Sequence, residues 1–139
     1  MKVKKVVEVK TNYIFEAPII SAKISGRDPR FGTVNHTFDL NEYLLPDPKN
    51  IFLVRVSGES MIDQQIFEGD ILVVDKSEEP EDGKIVIAAL NGDMAVKIFR
   101  KINNKIYLFS ANKKFLPIEI EGLMEFQIQG VVKHVIHTY

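Results

Sequence analysis

The sequence predicts a mostly β protein made of small twisted sheets, and three observations support this class. Short apolar runs recur along the chain and are separated by turn residues, without sustained helical periodicity. An Asn91-Gly92 pair, the preferred centre of a two-residue hairpin, lies between two of these runs. The chain has 139 residues, of which 45% are hydrophobic, so it is long enough for one domain with its own core.

Composition limits the classes of protein that this chain can represent. The absence of cysteine excludes disulfides and cysteine-based metal sites, as is typical of cytoplasmic proteins. No apolar run approaches about 18 residues, so neither a membrane span nor a secretory signal is predicted. Residues 1–25 carry a net charge of +3 and residues 26–139 a net charge of −4. The main body is therefore not predicted to bind DNA directly.

The first part of the chain is predicted to be an extended arm. Residues 2–9 alternate loosely, as an edge strand or an ordered arm would. Residues 11–32 contain prolines and glycines that interrupt every pattern and indicate a long linker. We therefore divide the chain into an N-terminal arm, residues 1–32, and a β-rich domain, residues 33–139.

The domain is predicted to begin with a strand and one helical turn. Thr33 to Phe38 alternates as a strand does. Asp39 is a suitable N-cap for the turn that follows, with Glu42 three residues later as in a capping box. Pro46 ends this turn, because proline cannot continue a helix.

Two predicted strands enclose a serine in a tight turn. Ile51–Val56 and Ile71–Val74 are apolar runs of strand length. Between them, Ser60 follows a turn that contains Gly58 and precedes a predicted short helix over Ile62–Phe67. Such a turn exposes the hydroxyl and leaves backbone N–H groups free to bind an oxyanion.

The predicted hairpin places one lysine among apolar side chains. With a two-residue loop, Val86 lies opposite Lys97. Because side chains alternate between the faces of a strand, Lys97 shares its face with Ala88, Ala95 and Phe99. Burial on such a face disfavours the ammonium form and lowers the pKa of the lysine. A neutral lysine can act as the base for a nearby serine hydroxyl.

Three more segments complete the predicted sheets. Lys105–Ser110 is predicted as a strand, and Phe115–Ile120 as an extended edge that contains a proline. Phe126–Thr138 alternates around Gly130, which indicates a bulge or bend.

Ordinary structural roles compete with a catalytic interpretation. A serine after a glycine turn is commonly a cap, and a strand lysine commonly faces solvent or extends its amine past an edge. A Ser-His-Asp triad would have to use His36, His134 or His137, and no spacing supports it. His134 and His137 face opposite sides of a predicted strand and no Gly-rich phosphate loop is present, so no metal or cofactor is predicted.

The segments around the serine and the lysine resemble the LexA/UmuD family of self-cleaving serine peptidases. The resemblance is carried by Ser57-Gly58-Glu59-Ser60-Met61, Glu68–Asp75, Gly83–Ala89 and Val96-Lys97, and it extends from Phe38 to the last residue. It implies the peptidase fold of that family with an extended N-terminal arm. It also implies a serine nucleophile at Ser60, a neutral lysine base at Lys97, and oxyanion donors in the backbone N–H groups of Glu59 and Ser60.

The same resemblance implies a substrate within the chain. Members of the family cut their own arm between a small residue and glycine, and Ser25-Gly26 is the candidate bond here. The residues that follow, from Arg27 to Phe31, differ from the Phe-Pro-Ser-Pro run usual in the UmuD branch.

Within the family, the chain most resembles the UmuD branch. The 59 residues before Ser60 show no paired amphipathic helices, whereas a LexA-type repressor has a helix-turn-helix domain there. The resemblance implies a cytoplasmic homodimer of the SOS response, cleaved with the help of a RecA filament on single-stranded DNA. The product, about residues 26–139, would join a UmuC-type translesion DNA polymerase.

Two other functions remain open from the sequence, and a third is disfavoured. One is a non-catalytic module that keeps the fold and binds a polymerase or the RecA filament. Another is the peptidase part of a LexA-type or phage-type repressor. A signal-peptidase-like enzyme, which also uses serine and lysine, is disfavoured because no membrane anchor is predicted.

Overall fold

The structure, a computed structural model, describes residues 1–8, 16–20 and 34–139. The predicted mostly β class is confirmed. The described strands are β1 (Lys2–Glu8), β2 (Glu16–Ile20), β3 (Val34–Asp39), β4 (Ile51–Ser57), β5 (Ile71–Asp75), β6 (Ile85–Leu90), β7 (Asp93–Ile102), β8 (Lys105–Phe109), β9 (Ile118–Glu119) and β10 (Phe126–Ile136). The helical elements are α1 (Leu40–Leu44) and two 3-10 turns at Pro48–Asn50 and Ile62–Gln64.

The chain divides into two compact units, Met1–Val9 with Lys49–Tyr139, and Lys10–Pro48. The predicted boundary at residue 32 stays a prediction, because residues 21–33 lie outside the described residues. The second unit contains the antiparallel pair of β2 and β3, followed by α1.

The predicted N-cap of the helical turn is confirmed. An Asp39 carboxylate oxygen accepts hydrogen bonds from the backbone N–H groups of Asn41 (2.8 Å) and Glu42 (3.3 Å). These groups have no partner within the helix, so the side chain of Asp39 satisfies them.

The first unit is an eight-stranded sheet in which six strands close into a ring. The strand order is β1-β4-β5-β10-β6-β7-β8-β9, and β1 also pairs with β7 where Lys2 lies opposite Ala95. Residues 2–8 thus form a strand of the sheet, which is one of the two alternatives that the sequence left open.

The predicted hairpin and its register are confirmed. Asn91 and Gly92 both have positive φ angles (49° and 87°), as a type I′ turn requires, and Val86 lies opposite Lys97. Successive β6 residues consequently face two different apolar clusters. Ile87 packs in one cluster with Val96, and Val86 packs in the other.

Two predicted elements are shorter in the structure. The helix predicted over Ile62–Phe67 is only a 3-10 turn, because Gln65 adopts a left-handed conformation (φ 59°) that ends it. Ile66 then enters the core. The strand predicted over Phe115–Ile120 is reduced to β9, because Pro117 has no N–H to donate to a neighbouring strand.

The bulge predicted at Gly130 is also present. The register between β10 and β6 shifts between Ile128 and Gly130, where the chain passes close to β5. A Cβ atom on Gly130 would lie 2.6 Å from Val74 Cγ1 and 2.8 Å from the Asp75 carbonyl oxygen. Glycine is therefore required here by close packing.

Within the part of the chain that the structure describes, no helix has the length and apolar character needed to cross a membrane.

We expect Gly130→Ala to lower the free energy of unfolding by about 1–3 kcal/mol, because β5 must move to admit the methyl group. Urea denaturation followed by circular dichroism measures this. Gly122→Ala is the matched control, since a Cβ there meets no atom within 4 Å. Equal stability of the two variants would contradict the packing argument.

Candidate active site

Ser60 lies just beyond the end of β4. Gly58 has a φ angle of 99°, a left-handed conformation that suits glycine and turns the chain after the strand. The prediction that this turn exposes the hydroxyl is wrong, since Ser60 is only 1% exposed. The reason is the pairing of β1 with β4, which brings the amine of Met1 to the site, where it donates a hydrogen bond to Ser60 Oγ.

A buried asparagine holds the backbone next to the serine. Asn112 Nδ2 donates to the Glu59 carbonyl oxygen at 2.9 Å, and the Ile62 N–H donates to the same oxygen at 3.3 Å. The oxygen and the hydrogen of a trans peptide point in opposite directions. By fixing the carbonyl of Glu59, these two bonds also fix the direction of the Ser60 N–H, one of the two predicted oxyanion donors.

Lys97 lies in β7 and is half-buried. Its Nζ donates a hydrogen bond to Ser110 Oγ at 2.7 Å. The ring of Phe115 has its centre 6.0 Å from the same nitrogen. Desolvation by burial lowers the pKa of Lys97 below the usual range of a lysine, in the direction that the sequence predicted.

Ser60 and Lys97 both lie near the amine of Met1. Burial, and then the positive charge of Lys97, lower the pKa of this amine to about 6. The Met1 carbonyl accepts a hydrogen bond from the Val96 N–H at 2.9 Å, beside Lys97. Ser60 bonds to Met1 and Lys97 bonds to Ser110, so the two predicted residues are not hydrogen-bonded to each other. Direct proton transfer between them requires that Lys97 Nζ come into hydrogen-bond contact with Ser60 Oγ, a position now taken by the Met1 amine.

Of the other candidate site residues, some lie outside the described residues and some lie away from Ser60 and Lys97. Ser25 and Gly26, the candidate scissile bond, lie outside the described residues, as does the side chain of His36. His137 Nδ1 lies 2.5 Å from the buried carboxylate of Asp70 and is therefore engaged away from Ser60 and Lys97. Among the described residues, no group of three histidine or acidic side chains is arranged to hold a metal ion.

Sequence reasoning missed Ser110 and Asn112. Ser110 is the last residue of the strand predicted over Lys105–Ser110, and Asn112 follows it in a segment that reads as an ordinary loop, where asparagine is common. One signal was available for Ser110, because extending the β7–β8 hairpin register by one pair places it opposite Lys97.

Comparison with known proteins identifies the class to which this fold and this serine–lysine pair belong. The family described as "Peptidase S24-like" matches residues 18–133. The chain belongs to this family, which consists in general of self-cleaving serine peptidases. The predicted family is thus confirmed, and the UmuD branch stays a prediction.

LexA repressors are among the curated proteins that this chain is similar to. The chain is 40% identical over 92 residues to the LexA repressor of Shewanella piezotolerans, covering 66% of this chain and 45% of that protein. It is 43% identical over 74 residues to that of Ectopseudomonas mendocina, covering 53% and 36%. It is 33% identical over 104 residues to that of Clostridium novyi, covering 73% and 51%. The chain thus spans about half the length of these relatives or less.

We expect Asn112→Asp to lower the free energy of unfolding by about 1–3 kcal/mol, because the Glu59 carbonyl then faces an oxygen instead of a donor. Thermal and urea denaturation measure the change. Asn104→Asp, in the exposed turn between β7 and β8, is the control. If both variants were as stable as the wild-type chain, Asn112 would not hold the serine turn.

Proposed function

We propose that this protein is a serine peptidase that cleaves its own arm, with Ser60 as the nucleophile and Lys97 as the base. The observation that carries the proposal is the half-buried Lys97, which bears a lowered pKa and lies near the same amine that bonds to Ser60. A solvated lysine is protonated at neutral pH and cannot activate a serine, whereas a desolvated one can.

The proposed reaction begins when the Met1 amine leaves Ser60 and the scissile peptide enters the site. Neutral Lys97 Nζ takes the proton from Ser60 Oγ as this oxygen attacks the carbonyl carbon of Ser25. The developing oxyanion accepts hydrogen bonds from the backbone N–H groups of Glu59 and Ser60. Lys97 then gives its proton to the departing nitrogen of Gly26, which leaves an ester between Ser60 and Ser25.

The second half of the reaction releases the arm. Lys97 takes a proton from a water molecule, and the resulting hydroxide attacks the ester carbonyl. Collapse of this intermediate returns the proton to Ser60 Oγ and gives a free carboxylate at Ser25. The site then again holds a neutral Lys97 and a protonated Ser60 hydroxyl, and the released residues 1–25 carry Met1 and β1 with them.

The Ser25–Gly26 bond is proposed on two grounds. The family match starts at residue 18 and therefore includes this part of the arm. A small residue followed by glycine also lets a backbone approach a nucleophile closely, because neither side chain obstructs it.

We further propose that cleavage serves the SOS response in the manner of UmuD. A RecA filament on single-stranded DNA would stabilise the arm in the site, and the product beginning at Gly26 would join a UmuC-type translesion polymerase as a homodimer. The competing function is the peptidase part of a LexA-type repressor, which the names of the relatives favour. Binding of the purified cleaved product to a UmuC-type polymerase supports the first function, and its absence with retained self-cleavage supports the second.

We expect Ser60→Ala and Lys97→Met each to reduce self-cleavage by about a thousand-fold or more, because each removes one of the two reacting groups. Intact mass after incubation at alkaline pH identifies both the rate and the bond, and we expect a product that begins at Gly26. Exposed Ser77→Ala and Lys101→Met are the matched controls.

Cleavage of Lys97→Met at the wild-type rate would contradict the proposed base. A Lys97-dependent cut at a different bond would keep the peptidase and correct the scissile site.

The rate of self-cleavage is expected to rise with pH, because only neutral Lys97 accepts the proton and its neutral fraction grows as the pH passes its pKa. Desolvation lowers that pKa, so the midpoint of the rate profile is expected below the ordinary lysine value of about 10.4. Single-turnover rates across this range measure the midpoint. A profile centred at about 6 would instead match the Met1 amine, which bonds to Ser60 and has its pKa lowered to about 6.

A further inference from the structure

We propose that Ser110 is a positioning residue for Lys97, whose hydroxyl holds the amine in place beside the Ser60 turn. The inference rests on the proposed function of Ser60 and Lys97. It concerns a residue that lies one position beyond the end of β8 and does not contact the reacting atoms itself.

The hairpin register places the two side chains together. Ile98 lies opposite Phe109 in the antiparallel pair of β7 and β8, so the next position along places Lys97 opposite Ser110. Opposite residues in such a pair present their side chains on the same face, within reach of each other. The resulting hydrogen bond from Lys97 Nζ to Ser110 Oγ is 2.7 Å long.

The Lys97 amine needs this hydrogen bond because its other described neighbours do not fix its position. A lysine side chain has four flexible carbons, and ordering it in one rotamer costs conformational entropy. Across β6 it faces Val86, which is apolar and fully buried. Near it, just before β1, is the amine of Met1, which repels the ammonium form. Among the described residues, Ser110 Oγ is the oxygen to which Nζ is bonded.

The two residues directly after Ser110 bond to the backbone on either side of Ser60. The carbonyl of Ala111 accepts a hydrogen bond from the Asp63 N–H at 2.8 Å, just after the serine turn. Asn112 bonds to the carbonyl of Glu59, just before Ser60. Three consecutive residues thus connect the proposed base to the backbone on both sides of the proposed nucleophile. Ser110 fixes the amine relative to the segment that also fixes the serine.

This arrangement predicts two separate effects of removing the hydroxyl. An acceptor bonded to an ammonium group favours the protonated form, so its loss shifts the titration of Lys97 to lower pH. The released amine also samples more rotamers, so fewer molecules hold it in reacting geometry and the maximal rate falls. Simple destabilisation of the fold would not produce the first effect.

The first experiment measures the pH profile of self-cleavage in the full chain. For Ser110→Ala we expect the alkaline plateau to fall about 10- to 100-fold and the midpoint to move to lower pH. Ser110→Thr retains the hydroxyl and is expected to restore the plateau and the midpoint. Ser77→Ala, at an exposed serine far from β8 in sequence, is expected to match the wild-type chain.

The second experiment does not depend on cleavage. Competitive labelling with acetic anhydride across a pH series, read by peptide mass spectrometry in the Ser60→Ala background, measures the titration of Lys97 directly. We expect Ser110→Ala to shift this titration to lower pH and Ser110→Thr to leave it unchanged.

The two experiments distinguish failure of this inference from failure of the proposed function. An unchanged Lys97 titration in Ser110→Ala would overturn the inference, and so would a shifted titration with a wild-type cleavage profile. If the wild-type chain did not cleave itself at any pH, the proposed function would fail and the catalytic part of this inference with it. The labelling would then still decide whether Ser110 holds the amine.

Discussion

The register of the β6–β7 hairpin is the constraint on which the candidate site depends. A two-residue Asn91-Gly92 turn fixes this register, and a slip by one residue would exchange the two faces of the strand. In the observed register, Val96 packs in the apolar cluster that contains Ile87 and Met61. Lys97 lies on the other face of β7, on the same side of the sheet as Val86. The burial that lowers the pKa of Lys97 is thus a consequence of a local turn preference.

A second constraint connects the lysine to the serine, which lie on different strands. The short segment after β8 bonds to Lys97 through Ser110 and to the serine turn through Ala111 and Asn112. These bonds are made by three consecutive residues, so one short segment contacts both the proposed base and the backbone around the proposed nucleophile. Holding both groups from one segment reduces the entropy lost when they are brought into reacting geometry, which is how positioning contributes to catalysis.

The sequence predicted those features that depend on neighbouring residues. Alternation and the turn pair predicted the hairpin and the face of Lys97, and the capping preference of Asp39 predicted the start of α1. Features that depend on residues far apart in the chain were missed. The burial of Ser60 results from Met1, 59 positions away, and the role of Asn112 depends on a bond to Glu59. No local pattern encodes such long-range contacts.

The central claim is that Lys97 activates Ser60, and covalent labelling of the serine tests it without requiring the arm to enter the site. A fluorophosphonate reacts with an activated serine hydroxyl, and intact mass with peptide mapping locates the adduct. We predict modification of Ser60 that accelerates with rising pH in the wild-type chain and is strongly reduced in Lys97→Met. Modification of Ser60 at equal rates in both chains would contradict the account.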